Sequence, residues 1–313
     1  MDILVIGAGV SGLSSAIRLL EAGHQVRIIA RDLPHATTSA VAAAVWYPYR
    51  AYPEELVLGW SAATYRELMR LSGDPAAGII VRRGLELFPE PVGDPWWRDA
   101  VPDFRRAQPS ELPPQHRDGY VFSAPVVEMP LYLEFLLARF RSLGGTLEQG
   151  TVASLDEAPG DADALVNCTG LGARELVGDP AMLPIRGQIV RVAQVGVEQF
   201  TFDDYGPGGV TYIVPRSRDI VLGGTDEEGD ERLAPDPATA EAILARCIAL
   251  EPRLRSAAIL EHRVGLRPGR PAVRLEAERR DGRLVVHNYG HGGAGVTLSW
   301  GCADEVARLV ERG

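Results

Sequence analysis

The sequence predicts an α/β protein that combines a Rossmann-like parallel sheet domain, discontinuous in sequence, with a second α+β domain on a mainly antiparallel sheet. Three observations predict it. A buried strand, a glycine-rich turn and a helix open the chain, short alternating strands occupy its centre, and a second glycine-rich turn precedes its last helix. We expect the first domain to comprise residues 1–45, 125–185 and 264–313, and the second to comprise residues 46–124 and 186–263.

The chain begins with a β-α-β unit. Ile3 to Ile6 is a continuous apolar run, typical of a strand buried on both faces of a parallel sheet. Apolar residues at helical spacing then predict a helix from Gly12 to Ala22, which ends at Gly23. Gln25 to Ala30 is the second strand, and the crossover between the two strands should be right-handed.

The remaining elements follow from their periodicity. Three helical segments are predicted, namely Leu56 to Leu71, Pro130 to Leu143 and Pro237 to Leu250. The second of these should face inward with Leu131, Phe135, Leu136 and Phe140. Ala164 to Cys168 is an apolar strand that returns to the parallel sheet, and the alternating strands are Ile189 to Val192, Thr211 to Pro215 and Ile220 to Gly224.

Composition excludes several functional classes. At 313 residues the chain has room for a large core, and its net charge of −10 argues against binding to nucleic acid or to an anionic membrane surface. All 32 basic residues are Arg, so Schiff-base chemistry on a lysine of this chain is excluded. This bias fits genomic composition better than a selected role in stability.

Cysteine spacing and the terminal segments give further expectations. Cys168, Cys247 and Cys302 are far apart, which indicates buried free thiols and predicts neither a metal site nor disulfides. No secretory signal, membrane span of ~18 apolar residues or C-terminal Ser-Lys-Leu is visible. We therefore expect the cytoplasm, with no membrane partner.

The first glycine turn has the spacing of a dinucleotide site. Gly7, Gly9 and Gly12, together with Val10 and Ser11, follow a strand and open a helix, whose free N–H groups would face a pyrophosphate. Asp32 follows about 20 residues later, where an acid binds ribose. Arg31 beside it leaves NADP open as the ligand.

A second set of residues favours FAD. It consists of small and hydroxyl residues after the second strand and of a glycine turn near the C-terminus: Thr37, Thr38, Ser39, Ala42, Ala43, Gly292, Gly293, Gly295, Val296 and Thr297. We expect this turn to open the last helix at Thr297 and to point its N-terminus at the N1/C2=O edge of the flavin. The alternative is that these glycines only cap a helix.

Two residues are candidates for substrate binding. Arg267 lies on a proline-stiffened turn between Leu266 and Pro268, where a guanidinium suits a planar carboxylate, although a structural ion pair is the ordinary interpretation. Tyr212 opens a strand and offers a hydroxyl tip on an aromatic wall, although such a tyrosine is more often core.

These motifs, taken in order, resemble the D-amino-acid oxidase family along the whole chain. The most specific segments are Gly265 to Pro271 and His287 to Gly293, and they accompany Gly7 to Ser14, Val166 to Gly170, Arg186 to Ile189, Tyr212 to Pro215 and Leu222 to Thr225. The resemblance implies an FAD domain and a substrate domain. It matches Arg267 to the carboxylate-binding arginine, Tyr212 to the substrate tyrosine, Gly293 to a carbonyl facing the substrate amine, and Val152 to an FAD contact.

The family reaction, by resemblance, is oxidation of a D-amino acid to an imino acid, with hydride passing from Cα to flavin N5. Molecular oxygen then reoxidises the cofactor and yields hydrogen peroxide, and the product is released as a 2-oxo acid and ammonia. The residues bind and orient the substrate, and no general base in contact with it is required. A homodimer is compatible with the sequence, which does not determine the oligomeric state.

One departure and three alternatives remain. Many family members carry a second, lid tyrosine where this chain has Gly208, so Tyr205 and the loop 205–209 are the lid candidates. Glycine or sarcosine oxidases share the fold, and a D-aspartate oxidase would need extra cations, which the run Asp226 to Glu228 would oppose if it faced the pocket. A non-catalytic flavin-binding module would have no need of Arg267.

Overall fold

A computed structural model of the chain describes residues 1–49, 51–206 and 208–313. Within them, the six α-helices in chain order, α1 to α6, are Val10–Glu21, Glu54–Leu71, Met129–Ser142, Ala173–Leu176, Pro237–Leu250 and Gly295–Arg312. The same described residues form fifteen strands, which in chain order, β1 to β15, are Asp2–Ile6, Gln25–Ala30, Ile79–Phe88, Arg105–Arg106, Asp118–Val127, Thr146–Gln149, Ala164–Asn167, Leu183–Ala193, Phe200–Asp203, Thr211–Pro215, Asp219–Gly223, Glu227–Glu228, Ile259–Gly269, Arg274–Arg280 and Arg283–Tyr289.

The first sheet is the predicted parallel sheet. Its order is β14-β15-β7-β1-β2-β6, and every neighbouring pair is parallel except β14 with β15. Strand β1 is central and its apolar residues are buried, as a strand covered on both faces requires. Helices α1 and α6 pack against each other, with the hydroxyl of Ser14 donating to the carbonyl of Ser299 at 3.1 Å.

The second sheet is mainly antiparallel, as predicted. Its order is β12-β8-β11-β10-β9-β3-β5-β4, with β13 on the other side of β8 and only β3 and β9 parallel. Strands β5 and β13 of this sheet extend past residues 125 and 264, where the sequence places the start of first-domain segments. The positions of the domain boundaries stay a prediction.

Two local expectations need correction. Helix α3 buries Tyr132, Leu133, Leu136 and Phe140, whereas Leu131 is 47% exposed and Phe135 is only partly buried. Position 132 and not 131 lies one turn from Leu136, so Tyr132 belongs to the inner stripe.

None of the helices in the described residues is long and apolar enough to cross a bilayer.

Candidate active site

The first glycine turn brings two stretches of backbone unusually close. Gly7 has φ +109°, which favours glycine, and a Cβ atom at Gly12 would lie inside the contact distance of the Gly7 carbonyl oxygen. Helix α1 begins at Val10, two residues earlier than expected, because extended Gly9 acts as its N-cap. The Val10 N–H donates to Oγ of Ser39 at 3.1 Å, and the N–H groups of Ser11 and Gly12 precede the first intrahelical bond, from Leu13 to Gly9.

The loop after β2 joins this turn to the strand that carries Arg267. The hydroxyl of Thr37 donates to the carbonyl of Pro34 at 2.7 Å, and that of Thr38 donates to the carbonyl of Leu266 at 3.2 Å. Ala42 and Ala43 are partly buried at the end of the same loop. The small and hydroxyl residues predicted from the sequence are therefore brought together with the first glycine turn.

The other residues predicted to contact the cofactor lie just past the ends of β2 and β6 of the parallel sheet. Arg31 and Asp32 form an exposed ion pair of 2.8 Å just after β2. Val152, after β6, is partly buried against an apolar cluster that includes Ile6 and Leu165.

The second glycine turn precedes α6, which begins at Gly295 and not at Thr297. Gly290 and Gly292 have φ of +80° and +54°, whereas Gly293 lies outside that left-handed region. Gly293 is restricted instead by the ring of Tyr49, since a Cβ atom at this position would lie 3.2 Å from Cε1 of that ring and closer still to Cδ1. The N–H groups of Gly295, Val296 and Thr297 precede the first bond within the helix, from Leu298 to Ala294.

Buried polar groups hold the two helix N-termini in place. The Asn288 amide donates to Oγ of Ser15 at 3.0 Å, and its oxygen lies 2.9 Å from Nε2 of His291. Burial lowers the pKa of His291 to about 4, so this ring is neutral at neutral pH. The positive potential at the two helix N-termini therefore comes from the helix dipoles, with no contribution from a charged His291.

Arg267 lies in β13 and not on a turn. Pro268 is accommodated there because β13 is an edge strand that pairs only with β8 in the described sheet. The guanidinium lies over Gly187, where a Cβ atom would be 2.6 Å from Nη1, and Nη1 donates to the carbonyl of Thr225 at 2.9 Å. Only a glycine beneath it leaves room for this placement.

Tyr212 lies on β10 with its ring over the backbone of β11. It pairs with Gly223, and a Cβ atom at Gly224 would be 3.0 Å from the Tyr212 hydroxyl oxygen. Burial raises the pKa of this hydroxyl, and the positive charge of Arg267 opposes that rise. The phenol therefore stays protonated at neutral pH and remains a hydrogen-bond donor.

The lid residues stay a prediction. Tyr205 is 62% exposed, and its ring lies 5.5 Å from that of Phe88. Pro207, in the middle of the loop 205–209, lies outside the described residues.

In the acidic run Asp226 to Glu228, Glu227 forms a 2.5 Å ion pair with Arg186, so the charge of Glu227 is compensated.

Sequence reasoning missed several residues of this site. Tyr47 lies against α6, with its N–H and carbonyl bonded to the hydroxyl of Thr297, and its own hydroxyl donates to buried Glu86 at 2.6 Å. Gly187 and Thr225, which hold Arg267, were also missed. The available signal for Glu86 was an acid inside an otherwise apolar strand, Leu85 to Phe88.

The cysteine thiols are buried groups, and that of Cys168 donates to Oγ of Ser15 at 3.9 Å. Cys168, Cys247 and Cys302 are free and buried, as expected, and burial raises the pKa of Cys168 and of Cys247 to about 12. These thiols are therefore not nucleophiles at neutral pH. Among the described residues, no group of three or more His, Cys, Asp and Glu is placed to hold a metal ion.

Residues 2–309 match the sequence profile of the FAD dependent oxidoreductase family. The chain belongs to this family. It is 61% identical to a D-amino-acid oxidase from Rubrobacter xylanophilus, over 98% of this chain and 95% of the relative. It is 39% identical to a D-aspartate oxidase from Homo sapiens, over 98% and 94% of the two chains.

A solved structure shows the same fold. Glycine oxidase from Geobacillus kaustophilus aligns with a TM-score of 0.83 at 22% identity, covering 99% of this chain and 94% of that one. At this identity the likeness concerns the fold alone.

The residues present fit the FAD that this family uses. Gly12 packs directly against the carbonyl of Gly7, which brings the start of α1 close to the end of β1, and the packed helices α1 and α6 each offer N–H groups that precede their first intrahelical bond. The residue-by-residue FAD contacts remain predictions.

Proposed function

We propose that this protein is a D-amino-acid oxidase that converts D-amino acids, chiefly neutral ones, to 2-oxo acids and ammonia with formation of hydrogen peroxide. The observation that carries the proposal is Arg267. Its guanidinium is held by Gly187 and Thr225 beside the phenol of Tyr212, and the second glycine turn meets the same strand, where the N–H of Gly292 donates to the carbonyl of Pro268 at 2.9 Å. The 61% identity to a D-amino-acid oxidase supports the same assignment.

Each proposed role follows from the chemistry of the group. Arg267 has five N–H donors in a planar fork and gives one of them to Thr225, so others remain for a substrate carboxylate. The Tyr212 hydroxyl donates to the same carboxylate, and the carbonyl of Gly293 accepts from the amine. When bound, FAD would supply the acceptor for the hydride, which carries both electrons of the oxidation.

Positioning accounts for the rest of the reaction. Two fixed substituents on Cα leave one orientation for the Cα–H bond, so a single enantiomer is oxidised. No general base needs to contact the substrate, because the amine loses its proton before the chemical step. We expect activity to rise with pH toward the pKa of the bound amine.

The main experiment is a panel of D- and L-amino acids with peroxide detection. The purified protein should be yellow and should release FAD on denaturation, and neutral D-amino acids should bleach it without oxygen while L-enantiomers should not. Bleaching by glycine or sarcosine in preference to larger substrates would support the glycine oxidase alternative. A yellow protein that no amino acid bleaches would be a non-catalytic flavin-binding module.

Cellular location and assembly are also proposals. We propose a cytoplasmic protein, to be checked by fractionation of the source cells. Light scattering would decide between a monomer and a homodimer.

A further inference from the structure

Glu86 lies on the sheet face that carries Tyr212. Strand β3 pairs Glu86 with Phe202 of β9, and β10 pairs Tyr212 with the same Phe202. Residues that are directly paired across strands point to the same face of a sheet. Since neighbouring strands are about 4.8 Å apart, Glu86 is about 10 Å from Tyr212 along this row.

The carboxyl group of Glu86 is buried, and one of its two oxygens has a hydrogen-bond partner among the described residues while the other has none. Its side chain is 2% exposed, and Oε1 accepts the hydroxyl of Tyr47 at 2.6 Å. Oε2 has no hydrogen-bond partner among the described residues. A native protein rarely keeps such a group in its interior without a use for it.

The surroundings of Glu86 make it a group that changes charge near neutral pH. Burial raises its pKa to about 8 and the negative charge of Asp204 adds to this, while the hydrogen bond from Tyr47 opposes it. Tyr47 from the segment before α2 and Tyr120 from β5 also face it, and burial keeps the pKa of both hydroxyls well above 10. Tyr212 and Arg267 lie farther along the same face.

Tyr47 connects Glu86 to the proposed reaction centre. The ring of Tyr47 lies 5.1 Å from that of Phe202, the residue that pairs with both Glu86 and Tyr212. The backbone of Tyr47 is bonded to Thr297 at the start of α6. Tyr47 as a residue is partly buried, and its ring packs against Trp97, Phe122 and Phe202. A substrate side chain that leaves the Arg267 and Gly293 clamp in this direction would meet Tyr47 with Glu86 behind it.

We propose that Glu86 is a specificity-determining residue of the amino-acid pocket: when it is ionised behind Tyr47, its charge disfavours D-amino acids with a side-chain carboxylate and favours neutral or cationic side chains. This rests on the proposed function. Glu86 acts at a distance through Tyr47 and through its field. At an effective dielectric of about 20, two charges about 10 Å apart change an equilibrium by about tenfold.

The test uses the ratio of kcat/KM for D-glutamate to that for D-glutamine in the holoenzyme, measured from pH 6.5 to pH 10. These substrates have the same shape and differ in one charge, so effects on flavin binding or on folding cancel. The side-chain carboxylate of D-glutamate is ionised throughout this range. In the parent protein we expect the ratio to fall by about tenfold as the pH passes about 8, where Glu86 becomes charged.

Three variants locate this effect. Glu86→Gln should remove the fall, so that the ratio at pH 10 exceeds that of the parent by about tenfold. Tyr47→Phe should move the fall to higher pH, because it removes the hydrogen bond that stabilises the charged carboxylate. Glu90→Gln is the matched control, since Glu90 is 68% exposed and follows the same strand, and its ratio should equal that of the parent.

The outcomes separate this inference from the proposed function. A parent ratio that does not fall with pH would overturn the role of Glu86, as would identical pH profiles in the parent and Glu86→Gln. Should Glu86→Gln not fold, the parent profile and Tyr47→Phe still decide the matter. Absence of activity toward every D-amino acid would instead overturn the proposed function. The ratio for D-lysine over D-methionine should change in the opposite direction.

Discussion

The hydroxyl of Thr297 holds both backbone polar groups of Tyr47, accepting its N–H at 3.0 Å and donating to its carbonyl at 2.9 Å. These residues are 250 positions apart, and the pair fixes the wall of the substrate region to the start of α6. Thr297 was predicted as a cofactor contact. Its hydroxyl is used for this bridge, which leaves its N–H as the group available to FAD.

Replacing Thr297 should therefore affect the fold of the site more than FAD affinity. Thr297→Val has nearly the same shape but leaves the N–H and carbonyl of Tyr47 without this partner, and we expect the free energy of unfolding to fall by about 1–3 kcal/mol. Thr297→Ser should recover most of it. Urea unfolding and FAD titration of both variants test this, and a large loss of FAD affinity with unchanged stability would contradict it.

Arg267→Ala should keep the fold and the yellow colour while kcat/KM for D-amino acids falls by several orders of magnitude. The reason is that removing one partner of a buried, bidentate ion pair costs about 3–5 kcal/mol. Arg267→Lys should recover only part, because an ammonium lacks the planar fork. Steady-state kinetics with amines that lack a carboxylate provide the control, since these should lose little. Near-parental kinetics in Arg267→Ala would place the carboxylate clamp elsewhere.

Gly187→Ala should impair carboxylate binding by Arg267 although Arg267 itself is not replaced. The new Cβ atom would lie 2.6 to 2.7 Å from the guanidinium, which must then move. We expect KM for D-amino acids to rise at least tenfold with FAD content unchanged. Gly59→Ala is the matched control, because no atom lies within 4 Å of the added group and the position is an exposed helical one. Equal KM values in the two variants would contradict the observed placement of Arg267.

Gly12→Ala should prevent FAD binding. Its Cβ atom would overlap the carbonyl oxygen of Gly7, so the turn at the start of α1 must open. The flavin absorbance of the purified variant, compared with that of Gly59→Ala, measures the effect. Full FAD content in Gly12→Ala would show that the first glycine turn is not the pyrophosphate site.

His291 should make the protein less stable in acid. The pKa of His291 is about 4 in the folded state, below the ordinary value of about 6.5. At a pH between these two values, His291 is protonated in the unfolded chain and neutral in the folded chain. The stabilising contribution is present above pH 6.5 and is lost as the pH falls toward 4, by on the order of 3 kcal/mol. Thermal unfolding at pH 7 and pH 5 should show a smaller difference in His291→Gln than in the parent. Equal differences would show that His291 does not titrate in this way.

The sequence by itself determined the two-sheet architecture, the first glycine turn, the arginine and the family. These features depend on local patterns: apolar periodicity in β1 and α5, the spacing of Gly7, Gly9 and Gly12, and the order of the motifs. The predicted starts of α1 and α6 were two residues too late, because Gly9 and Ala294 act as the N-caps of these helices. The geometry of an N-cap is not visible in residue spacing.

Only the tertiary structure decided what surrounds the predicted residues. Gly187 and Thr225 reach Arg267 through strand pairing and from 80 and 42 positions away, and Glu86 shares a sheet row with Tyr212 through β9. Such partners are set by strand register and by packing between sheets, since cross-strand neighbours leave no fixed spacing in the chain. The sequence therefore identified the groups that bind, and the fold decided which residues position those groups and which charged residues lie near them.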